Sequence, residues 1–185
     1  MKQLKMRRES APIAPRPLPC GYTFATFGGS EEEIDDWLRA CVGIVGEDAK
    51  REVFESSIRS NKGVDPAADV WFILDPTGKR VATITPCRRE DGSGLVHMVG
   101  ALPESRGIGL GHALIEKACA LLEERGHERA YLTTDEHRLP AVKTYLDAGF
   151  RPVIYPDPES DMNERWDAVL KTLAYRSVER FVEEE

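Results

Sequence analysis

Arg106-Gly107-Ile108-Gly109-Leu110-Gly111 decides how this chain is read. An apolar run, Leu95-Val96-His97-Met98-Val99-Gly100-Ala101-Leu102-Pro103, leads into it, and an amphipathic segment from His112 to Arg125 follows. A strand delivered through glycines to a helix N-terminus forms an anion cradle. Glycine lets the backbone approach a ligand without a Cβ, and the first N–H groups of a helix have no internal partner. Arg106 adds a fixed positive charge beside them. A glycine-rich turn that merely ends a strand and starts a helix carries the same letters, so the flanks must discriminate.

Two phosphate loops are excluded by their missing residues. No Gly-Lys-Ser/Thr follows, so this is not a P-loop. A dinucleotide fingerprint needs a third glycine, but His112 or Leu114 stands where it would fall, and no parallel strand–helix–strand start lies at the N-terminus. The pattern that remains is Arg-x-x-Gly-x-Gly, with Arg106, Gly109 and Gly111 in the defined places.

Working outward, Gly21 to Phe27 reads as a strand, and Ser30-x-x-Glu33 as a capping box opening a helix with Ile34, Trp37, Leu38 and Cys41 on its buried face. A second short helix runs from about Asp48 to Arg59. Asp69 to Leu74 and Lys79 to Pro86 form a hairpin around Asp75-Pro76-Thr77-Gly78. Asp91-Gly92-Ser93-Gly94 turns the chain into the apolar run, completing an antiparallel meander. Beyond the loop come a helix stopped by Gly126, a strand Arg129 to Thr134, a helix Pro140 to Ala148, a strand Phe150 to Tyr155 and a helix Asp161 to Leu173. Residues 174–182 leave three options: a hidden strand, a helix over the sheet edge, or a partner chain covering it.

The whole chain has 185 residues, 41% hydrophobic and 31% charged, which suits one domain of 20–185 with a C-terminal helical segment at 161–182. Residues 1–19 are basic and then proline-rich, and read as a loose arm, not an export signal. No apolar stretch is long enough to span a membrane. Cys20, Cys41, Cys87 and Cys119 show no metal-ligand spacing, so neither a zinc site nor a disulfide framework is expected. Cys41 and Cys119 read as core thiols in helices. These features place the protein in the cytoplasm. A net charge of −7 argues against nucleic acid as a partner.

The loop resembles the acetyl-coenzyme A pyrophosphate loop of the GNAT superfamily of N-acetyltransferases. A second stretch, Ala141-x-x-x-Tyr145-x-x-x-Gly149-Phe150, looks like that family's other signature, and the element order over roughly 21–155 is similar to its fold. The resemblance implies an α/β (α+β) fold with a mixed, mostly antiparallel sheet of about six to seven strands flanked by helices. The chain departs from the pattern in two places. Arg138 stands where the family often has Asn, and the Trp166 helix where it usually ends in a seventh strand. The stretch His137 to Ala141 resembles mycothiol-synthase-like members, without assigning their substrate.

The resemblance implies direct transfer of an acetyl group from acetyl-coenzyme A to an amine of a small molecule or peptide, with no metal. An unperturbed amine is ~3 pK units from neutral near pH 7, a penalty of roughly 4 kcal/mol, so a proton acceptor is needed, with a donor for the departing thiolate. Tyr145 is the implied donor; a packing role is the alternative. His97 is the candidate acceptor by its reference pKa and its place on the strand before the loop. Glu104, Asp135 or a water chain are rivals, and a lone strand histidine is often structural. Backbone groups of Val99, Gly100, Ala101 and Leu102 are expected to bind the pantetheine arm where that strand splays from Arg129 to Thr134. The diphosphate would rest on Gly107, Ile108, Gly109, Leu110 and Gly111, with Arg106 and His112 at the rim. Arg138, Arg88, Arg89 and Lys143 are further cations for an anionic cofactor on an acidic protein. The acidic balance leans toward a cationic acceptor. A non-catalytic acyl-coenzyme A sensor of the same fold and, more remotely, a nucleotide-binding oxidoreductase are the rival functions, and a homodimer stays open.

Overall fold

Eight strands form one mixed sheet in this computed structural model, which describes residues 2–44, 50–157 and 160–183. They are β1 (Leu4–Glu9), β2 (Thr23–Thr26), β3 (Trp71–Leu74), β4 (Arg80–Arg88), β5 (Gly94–Ala101), β6 (Arg129–Thr134), β7 (Arg151–Ile154) and β8 (Phe181–Val182), in spatial order β2-β3-β4-β5-β6-β1-β7-β8. Only β5–β6 and β7–β8 run parallel. The helices are α1 (Glu31–Cys41), α2 (Arg51–Phe54), α3 (Pro66–Asp69), α4 (Leu110–Glu124), α5 (Leu139–Asp147) and α6 (Met162–Thr172). α2 continues into a π-helical turn, Glu55–Arg59. The expected start of this segment, Asp48, lies outside the described residues.

Local signals explain most of these boundaries. The Ser30–Glu33 capping box is present, and the Glu33 carboxylate also accepts from the Gly28 amide at 3.0 Å. Gly126 and Gly149 take φ of +80° and +91°, the left-handed conformation that stops α4 and α5. Asp69, expected at the start of β3, instead closes α3 under an Asp65 cap. The sheet buries two separate apolar clusters. One, with Leu114, Cys119, Phe150 and Trp166, lies among α4, α5, α6 and the sheet; the other, with Trp37, Cys41, Phe54 and Phe72, lies beneath α1 and α2.

Three expectations need correction. The sheet has eight strands, not six or seven. Residues 4–9 are no arm: they form β1, wedged antiparallel between β6 and β7. Leu4 and Met6 are fully buried on one side, while Lys5 and Arg7 face ion-pair partners on the other, which is why the segment reads as merely basic. The prolines that follow strap back along α4, where Arg16 donates from its amide and guanidinium to Glu116 at 2.8 and 2.9 Å. At the other end, helix stops at Thr172, and Phe181–Val182 adds a short parallel strand to β7. β1 from the N-terminal side thus lies inside the sheet, and β8 from the C-terminal side forms its edge.

Candidate active site

β5 ends in a single 3-10 turn, Pro103–Ser105, and the chain then passes through Gly107 (φ +81°) and Gly109 (φ +92°) into α4. Both glycines need the left-handed region, and a Cβ at either would meet no heavy atom within 4 Å. Among the described residues, no main-chain N–H from Gly107 to Gly111 donates to a protein acceptor; the first helical bond is Ala113 N–H to Gly109 O, 3.2 Å. A row of amides without protein acceptors at the N-terminus of a 15-residue helix is an arrangement of the kind that suits an anion. Arg106 is exposed and donates from Nε to the Ala101 carbonyl at 3.1 Å. A Cβ at Gly111 would stand 3.9 Å from Thr144 Cγ2, so its absence is not forced by packing. The His112 ring is turned to Asp147 of α5 at 3.2 Å.

β5 and β6 pair only at Gly94–Ala130 and Leu95–Tyr131 and diverge beyond. On its other edge β5 stays with β4, but between His97 and Gly100 it carries one residue more than β4 does between Thr85 and Thr83. This bulge holds Met98 at φ +50°. Leu102 N–H donates to Val81 O at 2.9 Å. By strand alternation, the main-chain groups of Ala101 and Val99 therefore face the side that β6 has left. Gly100 has a different reason to be glycine than ligand approach. A Cβ there would stand 2.3 Å from Ala40 O in the last turn of α1.

α5 brings Tyr145 to the same end of the sheet. Its ring is 7% exposed and packs edge-on to Phe150, with ring centroids 6.4 Å apart. Burial pushes its hydroxyl up to about 12, opposed by the charge of Arg138. Arg138 pairs with Asp135 at 2.8 Å and donates across to Gly43 O at 3.2 Å, just past α1. It therefore bridges the α5 and α1 sides, a role no sequence signal suggested. Lys143 is tied to Asp147 at 2.8 Å.

His97 lies on the α1 side of β5. Burial lowers its pKa below the usual histidine value, opposed by a hydrogen bond from the ring to the Ser57 backbone carbonyl. Nε2 is buried without a partner, which leaves Nδ1 to make the Ser57 contact. Burial thus disfavours the protonated ring, and Nε2 stays buried without a partner. Glu104 is exposed and paired with Lys79 at 3.1 Å.

The family model described as "Acetyltransferase (GNAT) family" matches residues 31–150. The chain belongs to the GNAT acetyltransferase family. It is 28% identical over 150 residues to a mycothiol acetyltransferase of Beutenbergia cavernae, covering 78% of this chain and 50% of that protein. A mycothiol acetyltransferase of Salinispora arenicola is 32% identical over 149 residues, covering 76% and 48%. The chain thus spans about half the length of the curated relatives it matches. Among solved structures, a GCN5-related N-acetyltransferase from Sphaerobacter thermophilus superposes with a TM-score of 0.64 at 22% identity, over 80% of this chain and 47% of that one. The likeness supports the fold alone.

Measured against this GNAT framework, the sequence located the loop, the tyrosine helix and the splayed strand. It did not mark Ser57, whose carbonyl sits in the π-helical turn, or Thr85, the residue opposite His97. The available hint was polar Thr83 and Thr85 at alternate places in a strand that is buried on both faces.

Proposed function

We propose that this chain is a cytoplasmic N-acetyltransferase moving the acetyl group of acetyl-coenzyme A directly to a primary amine of a small molecule or peptide. The observation that carries this reading is the run of unbonded amides from Gly107 to Gly111, opening α4 beside the gap between β5 and β6. These residues fit the cofactor: the amides suit its diphosphate, Arg106 its charge, and the main-chain groups of Val99, on the edge that β6 has left, its amide-bearing arm. When bound, the cofactor supplies an acyl thioester and a thiolate leaving group.

The protein's own groups divide the proton work. His97, whose Nε2 has no protein partner among the described residues, is the acceptor for the proton that the nitrogen sheds once its bond to the acyl carbon has made it acidic. Tyr145 stays protonated at neutral pH and donates a hydrogen bond toward the departing sulfur. Full proton transfer from a hydroxyl at about 12 to a thiolate of reference pKa ~8.5 is uphill by roughly 5 kcal/mol. Stabilising the sulfur, not protonating it outright, is therefore the role its environment supports.

Calorimetry with acetyl-coenzyme A, followed by thiol-release assays over amines, amino acids and peptides, tests the reading. The acceptor used by the named mycothiol acetyltransferases comes first in that panel. Tyr145→Phe is expected to lower kcat at least ~10-fold while leaving acetyl-coenzyme A affinity within about twofold. The melting temperature should hold, since no protein group bonds that hydroxyl among the described residues. No affinity for acetyl-coenzyme A overturns the proposal. Tight binding with no turnover across the panel would make the chain an acyl-coenzyme A sensor.

A further inference from the structure

The proline-rich strap that follows β1 reaches the rim of the anion loop. His112, the residue after Gly111, and Glu116 are four apart and share one face of α4. Glu116 is five residues beyond Gly111, about 7 Å of helix rise. Its carboxylate is buried and holds Arg16 of the strap. Oε2 accepts from the Arg16 amide at 2.8 Å, and Oε1 from Nε at 2.9 Å and from Nη2 at 2.6 Å. Nε and Nη2 form one edge of the guanidinium. The other edge, Nη1 with the outer hydrogen of Nη2, has no acceptor among the described residues, and the side chain is 49% exposed. Asp147 of α5, the other carboxylate of this rim, accepts from Lys143 at 2.8 Å and from Tyr175 at 2.8 Å, and contacts His112 at 3.2 Å. Arg16 is near enough to Asp147 for their charges to interact. In each ion pair the cation is the outer partner: side-chain exposure is 49% against 9% for Arg16 and Glu116, and 55% against 31% for Lys143 and Asp147. The rim therefore turns positive ends to solvent.

We infer that Arg16 is a cofactor-binding residue, its open guanidinium edge taking the phosphate that coenzyme A carries on its ribose. The inference rests on the acetyltransferase reading and extends that site to the N-terminal strap. A cofactor whose acyl arm enters the gap between β5 and β6 carries its nucleotide away from that gap, along the rim. One sugar separates the ribose phosphate from the diphosphate, which suits a partner about one helical turn past the loop. A phosphate monoester carries about −1.5 to −2 charges at pH 7. A guanidinium edge matches two of its oxygens, as a lysine cannot. The arginine is also held ready. Glu116 fixes the plane of its guanidinium, and Pro12, Pro15, Pro17 and Pro19 stiffen the strap, whose Ile13 and Leu18 pack on the core to either side. Less freedom is then lost when the anion binds.

Calorimetry with two ligands, acetyl-coenzyme A and the form lacking the ribose phosphate, acetyl-dephospho-coenzyme A, tests this. The parent should bind the first about tenfold more tightly than the second. Arg16→Gln should weaken acetyl-coenzyme A about tenfold and leave the dephospho form within about twofold, so that the preference disappears. If the single substitution strands the Glu116 charge, seen as a fall in melting temperature, the double variant Arg16→Gln, Glu116→Gln removes both charges and carries the test with the same expectation. A pair that only pins the strap would weaken both ligands equally, and that result overturns the inference. So does a parent that does not distinguish the two ligands, or an arginine variant that keeps the parent's preference. Loss of the preference in Lys143→Gln but not in Arg16→Gln would give the phosphate to α5 and reject Arg16. A parent that binds neither ligand fails at the earlier reading instead.

Discussion

At the scale of single residues, glycines with the same letter do different work here. Gly107 and Gly109 are left-handed residues in open space, as an anion loop requires. Gly100 lies against α1, with room for no Cβ beside Ala40 O. Gly100→Ala should therefore destabilise the protein by about 1–3 kcal/mol in denaturant unfolding, since either β5 or α1 must shift. Gly111→Ala should stay within about 0.5 kcal/mol of the parent, because its nearest neighbour is at ordinary contact distance. Equal losses at both positions would contradict the packing described. Nothing in one dimension separates these glycines, because the atom that excludes a Cβ at Gly100 is sixty residues earlier in the chain.

At the scale of elements, β1 is the clearest case of a segment whose state is set by its neighbours. Leu4-Lys5-Met6-Arg7 alternates, but two apolar positions beside several cations give too little period to outweigh an arm. Its two faces meet different surroundings, a buried core and the Glu183 carboxylate, so each half of the alternation is satisfied only in the assembled sheet. Met6→Ala should cost about 2–5 kcal/mol, as for a core methionine; a loose arm would lose almost nothing, and thermal or denaturant melting tells these apart. β5 shows the reverse. Its existence and approximate length are plain from the apolar run, yet the bulge at Met98 and the parting from β6 depend on partners and could not be read from it.

At the scale of the whole molecule, one carboxylate joins the two ends of the chain. Glu183, just after β8, accepts from Lys5 and Arg7 of β1 at 2.7 Å each and from the Tyr131 hydroxyl at 2.6 Å. Burial disfavours its charge, but these donors prevail and hold it down to about 2. Its folded pKa is below the ordinary carboxylate value, so its contribution is present in full above about pH 4.5 and is lost as pH falls toward 2. Glu183→Gln should accordingly lower unfolding stability at pH 7 by about 1–3 kcal/mol, with the difference closing near pH 2. A gap that persists unchanged in acid would remove the charge from this account. What the sequence by itself determined is local chemistry: the loop that opens α4, the caps and stops of the helices, the meander and the tyrosine helix, all set by residues within a few positions of one another. Only the tertiary structure decided the place of β1, the eighth strand, the reason for Gly100, and the pairing of His97 with Ser57 and Thr85. Each of these depends on groups brought together from distant parts of the chain, where burial and unpaired hydrogen-bonding capacity set the energy and no local pattern records it.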